Sequence, residues 1–90
     1  LIVSLARALT SLGRVKRKSR NYRTALDSYE RARGLLLSIL MFTHAADPRR
    51  EILLKVLSGT LLGAFKSAAA LRKREQARGY RRELKRILGQ

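Results

Sequence analysis

Cysteine is absent from this 90-residue chain, which excludes a disulfide framework and a thiolate zinc site and is compatible with a reducing compartment. Acidic residues are scarce as well. The chain has 6 Asp and Glu against 21 Lys and Arg, so its formal net charge at pH 7 is +15. Such an excess favours acidic protein segments, nucleic acid or anionic lipid as partners, and it opposes folding through self-repulsion. The length allows one small domain with a single core.

Long hydrophobic runs are also missing. The most apolar stretch, residues 35–42, is far shorter than the roughly 20 residues that a membrane-spanning helix needs, so we expect a soluble chain. The sequence begins with Leu1 rather than Met and shows no signal-peptide pattern, which suggests a piece of a longer protein.

Signatures of catalysis are absent too. The sequence has no Gly-rich phosphate loop, nucleophile constellation or metal-ligand spacing, so we expect neither enzyme activity nor a cofactor or metal in this segment. The lone His44 lies at a predicted helix end, where a favourable contact with the helix dipole is a commoner role than catalysis.

Apolar residues recur at helical spacing in three successive segments, and no strand pattern is present. The first helix is predicted from about residue 2 to residue 18, and Asn21 is expected to cap a second helix that runs to about residue 43. Asp47 before Pro48 predicts the start of the third helix, because aspartate caps free amides and proline has no amide to leave unpaired. The third helix is expected either to run on or to bend near Gly79. The connections are short, so the expected fold is an all-α, three-helix up-down-up bundle.

The most specific pattern is a stripe of alanines and tyrosines on the second helix. Small side chains let a neighbouring backbone approach closely, and the rings fill the remaining gaps. The stripe of Tyr22, Ala25, Leu26, Tyr29 and Ala32, preceded by Asn21, resembles the second helix of microtubule-interacting-and-trafficking (MIT) domains. Ala64 matches the close-packing alanine of the third helix in that family. We therefore expect an MIT-like bundle over residues 1–75 and a basic amphipathic extension or linker over residues 76–90.

A tetratricopeptide repeat is the rival interpretation of the same stripe. Together with Leu12 and Gly13, it also fits the 34-residue consensus of that repeat. The predicted second helix, however, continues past Leu37, where the repeat should turn, and no second copy of the pattern follows. An MIT-like bundle is favoured on these two grounds.

The MIT resemblance implies a non-catalytic interaction module within a larger trafficking or microtubule-severing protein, such as an AAA ATPase, a protease or a kinase. MIT domains bind the C-terminal tails of ESCRT-III subunits, or help to engage tubulin, in grooves between helices. The resemblance thus implies protein transport in the cytoplasm, at the endosomal membrane or on microtubules. Where the family has a glutamate after the close-packing alanine, this chain has Phe65, which favours an acidic ESCRT-III strip or an acidic tubulin tail as the ligand.

Two groups of residues form the candidate binding surface. Apolar residues left over after the core is assigned are expected to line a ligand groove, namely Leu37, Met41, Leu54, Leu61 and Phe65. Basic residues form two patches, Arg14, Lys16, Arg17, Lys18, Arg20 and Arg23 around the first loop, and Arg72, Lys73, Arg74, Arg78, Arg81 and Arg82 in the C-terminal segment.

The alternatives to protein binding follow from charge. Solvated faces explain most basic runs, but these patches are also compatible with nucleic-acid binding. An amphipathic C-terminal helix with Ala77, Tyr80, Leu84 and Ile87 on one face could lie on an anionic membrane surface. The oligomeric state is open, since exposed leucines could pack against a second copy.

Overall fold

Four α-helices make up the fold. The computed structural model describes residues 2–89, and in this range the regular structure is α1 (Ile2–Lys18), α2 (Tyr22–Met41), α3 (Arg49–Ala70) and α4 (Arg74–Leu88). The all-α prediction is confirmed, although the described residues form four helices rather than three. Leu1 and Gln90, the outermost residues of the two predicted segments, lie outside this range. Each helix packs along the next, and α1 also touches α3, which gives two successive helical hairpins in a body of 38 × 27 × 16 Å.

The third helix ends earlier than its sequence pattern suggested. The prediction that it runs on, or bends near Gly79, is wrong, because a turn separates α3 from α4. In this turn Arg72 has a left-handed backbone with φ 60°, and the amides of Arg72 and Lys73 donate to the carbonyls of Ala69 and Ala68. These are the two hydrogen bonds of a Schellman cap, which satisfies carbonyls that a helix end leaves free.

The turn between α1 and α2 has the same geometry. Arg20 has φ 63°, and the amides of Arg20 and Asn21 donate to the carbonyls of Arg17 and Lys16. Asn21 precedes α2 as predicted, but its side chain makes no capping hydrogen bond. Both hairpins are therefore closed by backbone bonds around a left-handed arginine.

Asp47 and Pro48 precede α3 as the sequence predicts, although α3 begins at Arg49 rather than at Pro48. The Asp47 Oδ1 accepts a hydrogen bond of 2.9 Å from the Arg49 amide, and Pro48 has helical backbone angles. The Arg49 guanidinium also donates to this carboxylate, and these hydrogen bonds hold the pKa of Asp47 below its ordinary value. A side-chain acceptor thus caps α3 at its first turn.

The alanine and tyrosine stripe of α2 faces the core. Ala25, Ala32 and Ala64 are fully buried and Tyr29 is 2% exposed, whereas Tyr22 at the start of α2 is only partly buried. Full burial of small side chains on α2 and α3 allows the close helix packing that the stripe predicts.

The longest apolar segment of the chain is α3, which the sequence analysis did not single out. By length and composition, Arg49–Ala70 could cross a membrane, with a mean hydropathy of 1.4 over 18 residues, of which 44% are buried in the fold. The core helix of a soluble protein meets the same criterion. Because α3 packs against all three other helices, the buried part of this segment belongs to the core.

Candidate functional site

The two basic patches lie at the same end of the molecule. Helices joined by short turns are antiparallel, so the α1–α2 turn and the α3–α4 turn lie at the same end of the bundle. A hydrogen bond of 2.9 Å between the hydroxyls of Thr10 and Thr60 joins α1 to α3 and fixes their register. Beyond that bond, both helices continue to their arginine turns at Arg20 and Arg72. We call residues 16–23 and 72–74 together the basic end.

A cleft between α3 and α4 extends from the basic end. It has a volume of about 610 Å³, and its lining consists of Phe65, Ala69, Arg72, Arg74, Ala77, Arg78 and Arg81. We call it the arginine cleft. A neighbouring surface formed by Arg78, Arg81, Arg82 and Lys85 continues the positive charge along the outer face of α4. The site therefore combines an aromatic ring with a row of guanidinium groups.

The arginines of this cleft have no acidic partner. Among the described residues, the ion pairs involve Arg31, Arg33 and Arg49, and none reaches the arginine cleft. The cleft arginines are all exposed. Their charges are thus uncompensated, and an acidic ligand would supply the carboxylates that the fold does not.

A polar cluster on the other side of α4 holds this helix against α2. The Arg33 guanidinium donates two hydrogen bonds to the Glu83 carboxylate, 2.7 and 2.9 Å long, and both side chains are 29% exposed. The Tyr80 hydroxyl donates to Glu30 and accepts from the Gln76 amide. We call Glu30, Arg33, Gln76, Tyr80 and Glu83 the α2–α4 latch.

Two members of the latch have shifted pKa values. Burial, followed by the hydrogen bond to Glu30, raises the pKa of Tyr80 well above its ordinary value. The hydrogen bond with Glu83 raises the pKa of Arg33. The phenol therefore stays neutral and the guanidinium stays charged, as the hydrogen bonds require.

The apolar face of α4 packs against the rest of the fold. Ala77 and Tyr80 are 6% and 4% exposed, and Leu84 and Ile87 pack against the core. With this face buried, the outer surface that α4 offers to a ligand is basic rather than amphipathic.

The five residues predicted to line one ligand groove are not assembled as a groove. Leu61 is 1% exposed and belongs to the core, because α3 is packed by three helices and not by two. Leu54 is partly buried, Leu37 and Met41 are exposed on α2, and Phe65 is partly buried in the arginine cleft. Of the predicted set, Phe65 is the member that the structure places beside the basic residues.

The basic residues predicted from sequence are mostly on the surface. Arg14, Lys18, Arg20 and Arg23, and all six of the C-terminal patch, are exposed, whereas Lys16 and Arg17 are partly buried. The Nε of Arg17 is buried and has no hydrogen-bond partner among the described residues.

His44 has a local structural role in the α2–α3 loop. Its Nδ1 accepts a hydrogen bond of 3.1 Å from the Ala46 amide. Within residues 2–89, no cluster of His, Asp and Glu side chains could hold a metal ion.

Sequence reasoning missed the α2–α4 latch. Within α2 itself, the carboxylate of Glu30 lies 3.6 Å from the guanidinium of Arg33. The sequence does contain one indication of the latch. Glu30 and Arg33 are three residues apart, as are Tyr80 and Glu83, and this spacing places each pair on one helix face.

Comparison with known proteins identifies no relative, since no family model, curated protein or solved structure matches this chain. Its function must therefore be inferred from its own residues.

Proposed function

We propose that this chain is a non-catalytic interaction module that binds acidic protein segments in the arginine cleft. In this proposal α1, α2 and α3 form an MIT-like up-down-up scaffold, and α4 adds one wall of the binding site. The observation that carries the proposal is the row of unpaired arginines around Phe65. Under the MIT resemblance, the candidate ligands are acidic ESCRT-III-type tails and tubulin tails.

Two kinds of contact support a peptide ligand. Guanidinium groups bind carboxylates through paired hydrogen bonds, and Arg72, Arg74, Arg78 and Arg81 are free to do so. Phe65, with Ala69 and Ala77, gives the cleft an apolar floor that suits a hydrophobic side chain. The expected ligand is thus a segment with several Asp or Glu residues around one apolar residue.

Nucleic acid is the second candidate, favoured by the net charge of +15 and by the basic outer face of α4. Proteins that bind single strands without sequence preference stack successive bases on several aromatic rings. The arginine cleft has one ring, Phe65, and it is partly buried. This arrangement favours an acidic peptide over a single-stranded nucleic acid.

A titration with three ligands tests the proposal. The ligands are a glutamate-rich peptide with one central leucine, the same peptide with glutamine for glutamate, and a mixed-sequence oligonucleotide, each at two salt concentrations. We expect the glutamate peptide to bind by far the tightest of the peptides. Arg78→Gln should weaken it by about threefold to tenfold, because one charge-assisted contact is lost.

The control for that variant is Arg7→Gln, which removes an exposed arginine of α1 outside the cleft. Both variants lower the net charge equally, so only a specific site makes them differ. Equal losses for the two variants would contradict the proposed site. An oligonucleotide that outcompetes the glutamate peptide at the higher salt concentration would favour nucleic acid instead.

A further inference from the structure

The end of the molecule opposite the basic end exposes large apolar side chains. The α2–α3 loop lies there, because α2 runs away from the basic end and α3 returns to it. Met41 and Phe42 are 78% and 87% exposed, and Ile52 on the first turns of α3 is 49% exposed. We call Met41, Phe42 and Ile52 the apolar tip.

A cavity lies directly beside the exposed ring of Phe42. Its volume is about 420 Å³, and Val3, Ile39, Thr43, Ile52 and Leu53 line it together with Phe42 and Arg49. Most of this lining is apolar. A protruding phenyl ring next to an apolar hollow is a self-complementary surface, because the ring of one molecule can fill the hollow of another.

Charge opposes a second copy less at this end than at the basic end. Around the loop, Asp47 binds Arg49 at 2.9 Å, and Arg50 is adjacent to Glu51, so the formal charges balance. The excess positive charge lies elsewhere, with much of it at the basic end. In a body 38 Å long, tip-to-tip contact keeps the two basic ends much further apart than the screening length of about 10 Å at moderate salt.

We propose that two copies of this chain associate end to end through the apolar tip, with Phe42 of each copy inserted in the cavity of the other. The contact is a symmetric twofold interface, and Phe42 is its aromatic anchor. The dimer presents its two arginine clefts on separate arms, which makes it bivalent toward a ligand that carries two acidic segments. The dimer itself does not depend on the identity of that ligand.

Sedimentation equilibrium over a range of concentrations tests the dimer. We expect the mass to rise from 10.2 kDa toward twice that value with increasing concentration. Phe42→Ser should raise the dissociation constant by about tenfold or more, because an aromatic side chain is no longer buried. Val15→Ser is the matched control, since Val15 is 61% exposed on α1 near the basic end, and this variant should dimerise like the parent.

Cysteine cross-linking tests the orientation, because the chain has no cysteine of its own. Under mild oxidation Ala46→Cys, in the loop at the apolar tip, should form a disulfide between copies, whereas Lys18→Cys at the basic end should not. A mass of 10.2 kDa at every concentration would overturn the proposal. So would equal effects of Phe42→Ser and Val15→Ser, or faster cross-linking of Lys18→Cys than of Ala46→Cys.

Discussion

At the scale of single residues, Tyr29 is the side chain on which the core depends. Its ring fits between α1 and α3 because each of these helices has a glycine at the point of contact. A Cβ added at Gly63 would lie 2.6 Å from the Tyr29 hydroxyl oxygen, and one added at Gly13 would lie 2.9 Å from the ring. Real Cβ contacts are not this short, so each methyl group would displace the ring.

Gly63→Ala should lower the free energy of unfolding by about 1–3 kcal/mol, because Tyr29 is 2% exposed and has no space into which it can move. Gly59→Ala on the same helix is the control. A Cβ at Gly59 meets nothing within 4 Å, so alanine should stabilise α3 by up to about 1 kcal/mol. Urea unfolding followed by circular dichroism measures both changes. Similar stabilities for the two variants would contradict this account of Tyr29.

Tyr80 should make the stability of the fold sensitive to alkaline pH. Its raised pKa means that the folded state holds the phenolic proton more tightly than the unfolded state, so this contribution is complete below pH 10 and declines as the pH rises above it. Urea unfolding of the parent and of Tyr80→Phe should therefore give a difference in stability that shrinks above about pH 10. A difference that is constant up to pH 11 would contradict the role assigned to the phenol.

At the scale of the helices, α4 depends on its partners more than the other three. Most of its residues are charged, and within the described range only Ala77 and Tyr80 of this helix are buried. Its position is set by packing on α3 and by the α2–α4 latch. Local opening is expected where few apolar contacts hold an element, so α4 should be the first helix to detach.

Hydrogen exchange of Glu83→Gln should show this dependence. The change removes one charge of a bidentate, half-buried pair and leaves Arg33 without its main partner, at a cost of about 1–3 kcal/mol. Amides in residues 74–88 should exchange faster, while those of α1 and α2 change little. Glu75→Gln is the control, because Glu75 is exposed on the same helix and pairs with no described residue. Equal effects of both variants would exclude a latch.

The sequence predicted α1, α2 and the start of α3 because their signals are local. The apolar spacing of α1 and α2 and the pair Asp47 and Pro48 each specify structure within a few residues. The end of α3 had no such signal, since the left-handed position is held by Arg72 where glycine would have marked it.

The candidate site was harder to predict because it depends on that missed turn. Once α4 folds back, Leu61 is enclosed and Phe65 lies beside arginines that come later in the sequence. Spacing within one helix predicts which residues share a face. It does not predict which face another helix will cover.

At the scale of the whole molecule, charge and apolar surface are separated. The basic end and the outer face of α4 carry unpaired cations, while the α2–α3 loop has balanced charges and the most exposed apolar side chains. The net charge of +15 on so small a body also opposes folding, because like charges are brought close together.

Added salt should therefore stabilise the fold. Raising the ionic strength from about 0.01 to 0.15 M shortens the screening length from about 30 to about 8 Å, which suppresses repulsion across a molecule 38 Å long. Salt also weakens the attraction within the partly exposed ion pairs. This loss of stability is smaller than the gain from reduced repulsion, because such pairs contribute little to the free energy of unfolding. We expect the thermal midpoint to rise over this range. A falling midpoint would show that ion pairing outweighs self-repulsion.

The left-handed arginines of the two turns set a limit on how stable this chain can be. A residue with a side chain costs about 1 kcal/mol more than glycine in this conformation, so Arg20 and Arg72 occupy positions where glycine would give a firmer fold. Replacing them would strengthen both hairpins and remove two cations from the basic end. Thermal resistance and the proposed affinity for acidic ligands would then change in opposite directions, and an attempt to improve one by exchanging these residues would reduce the other.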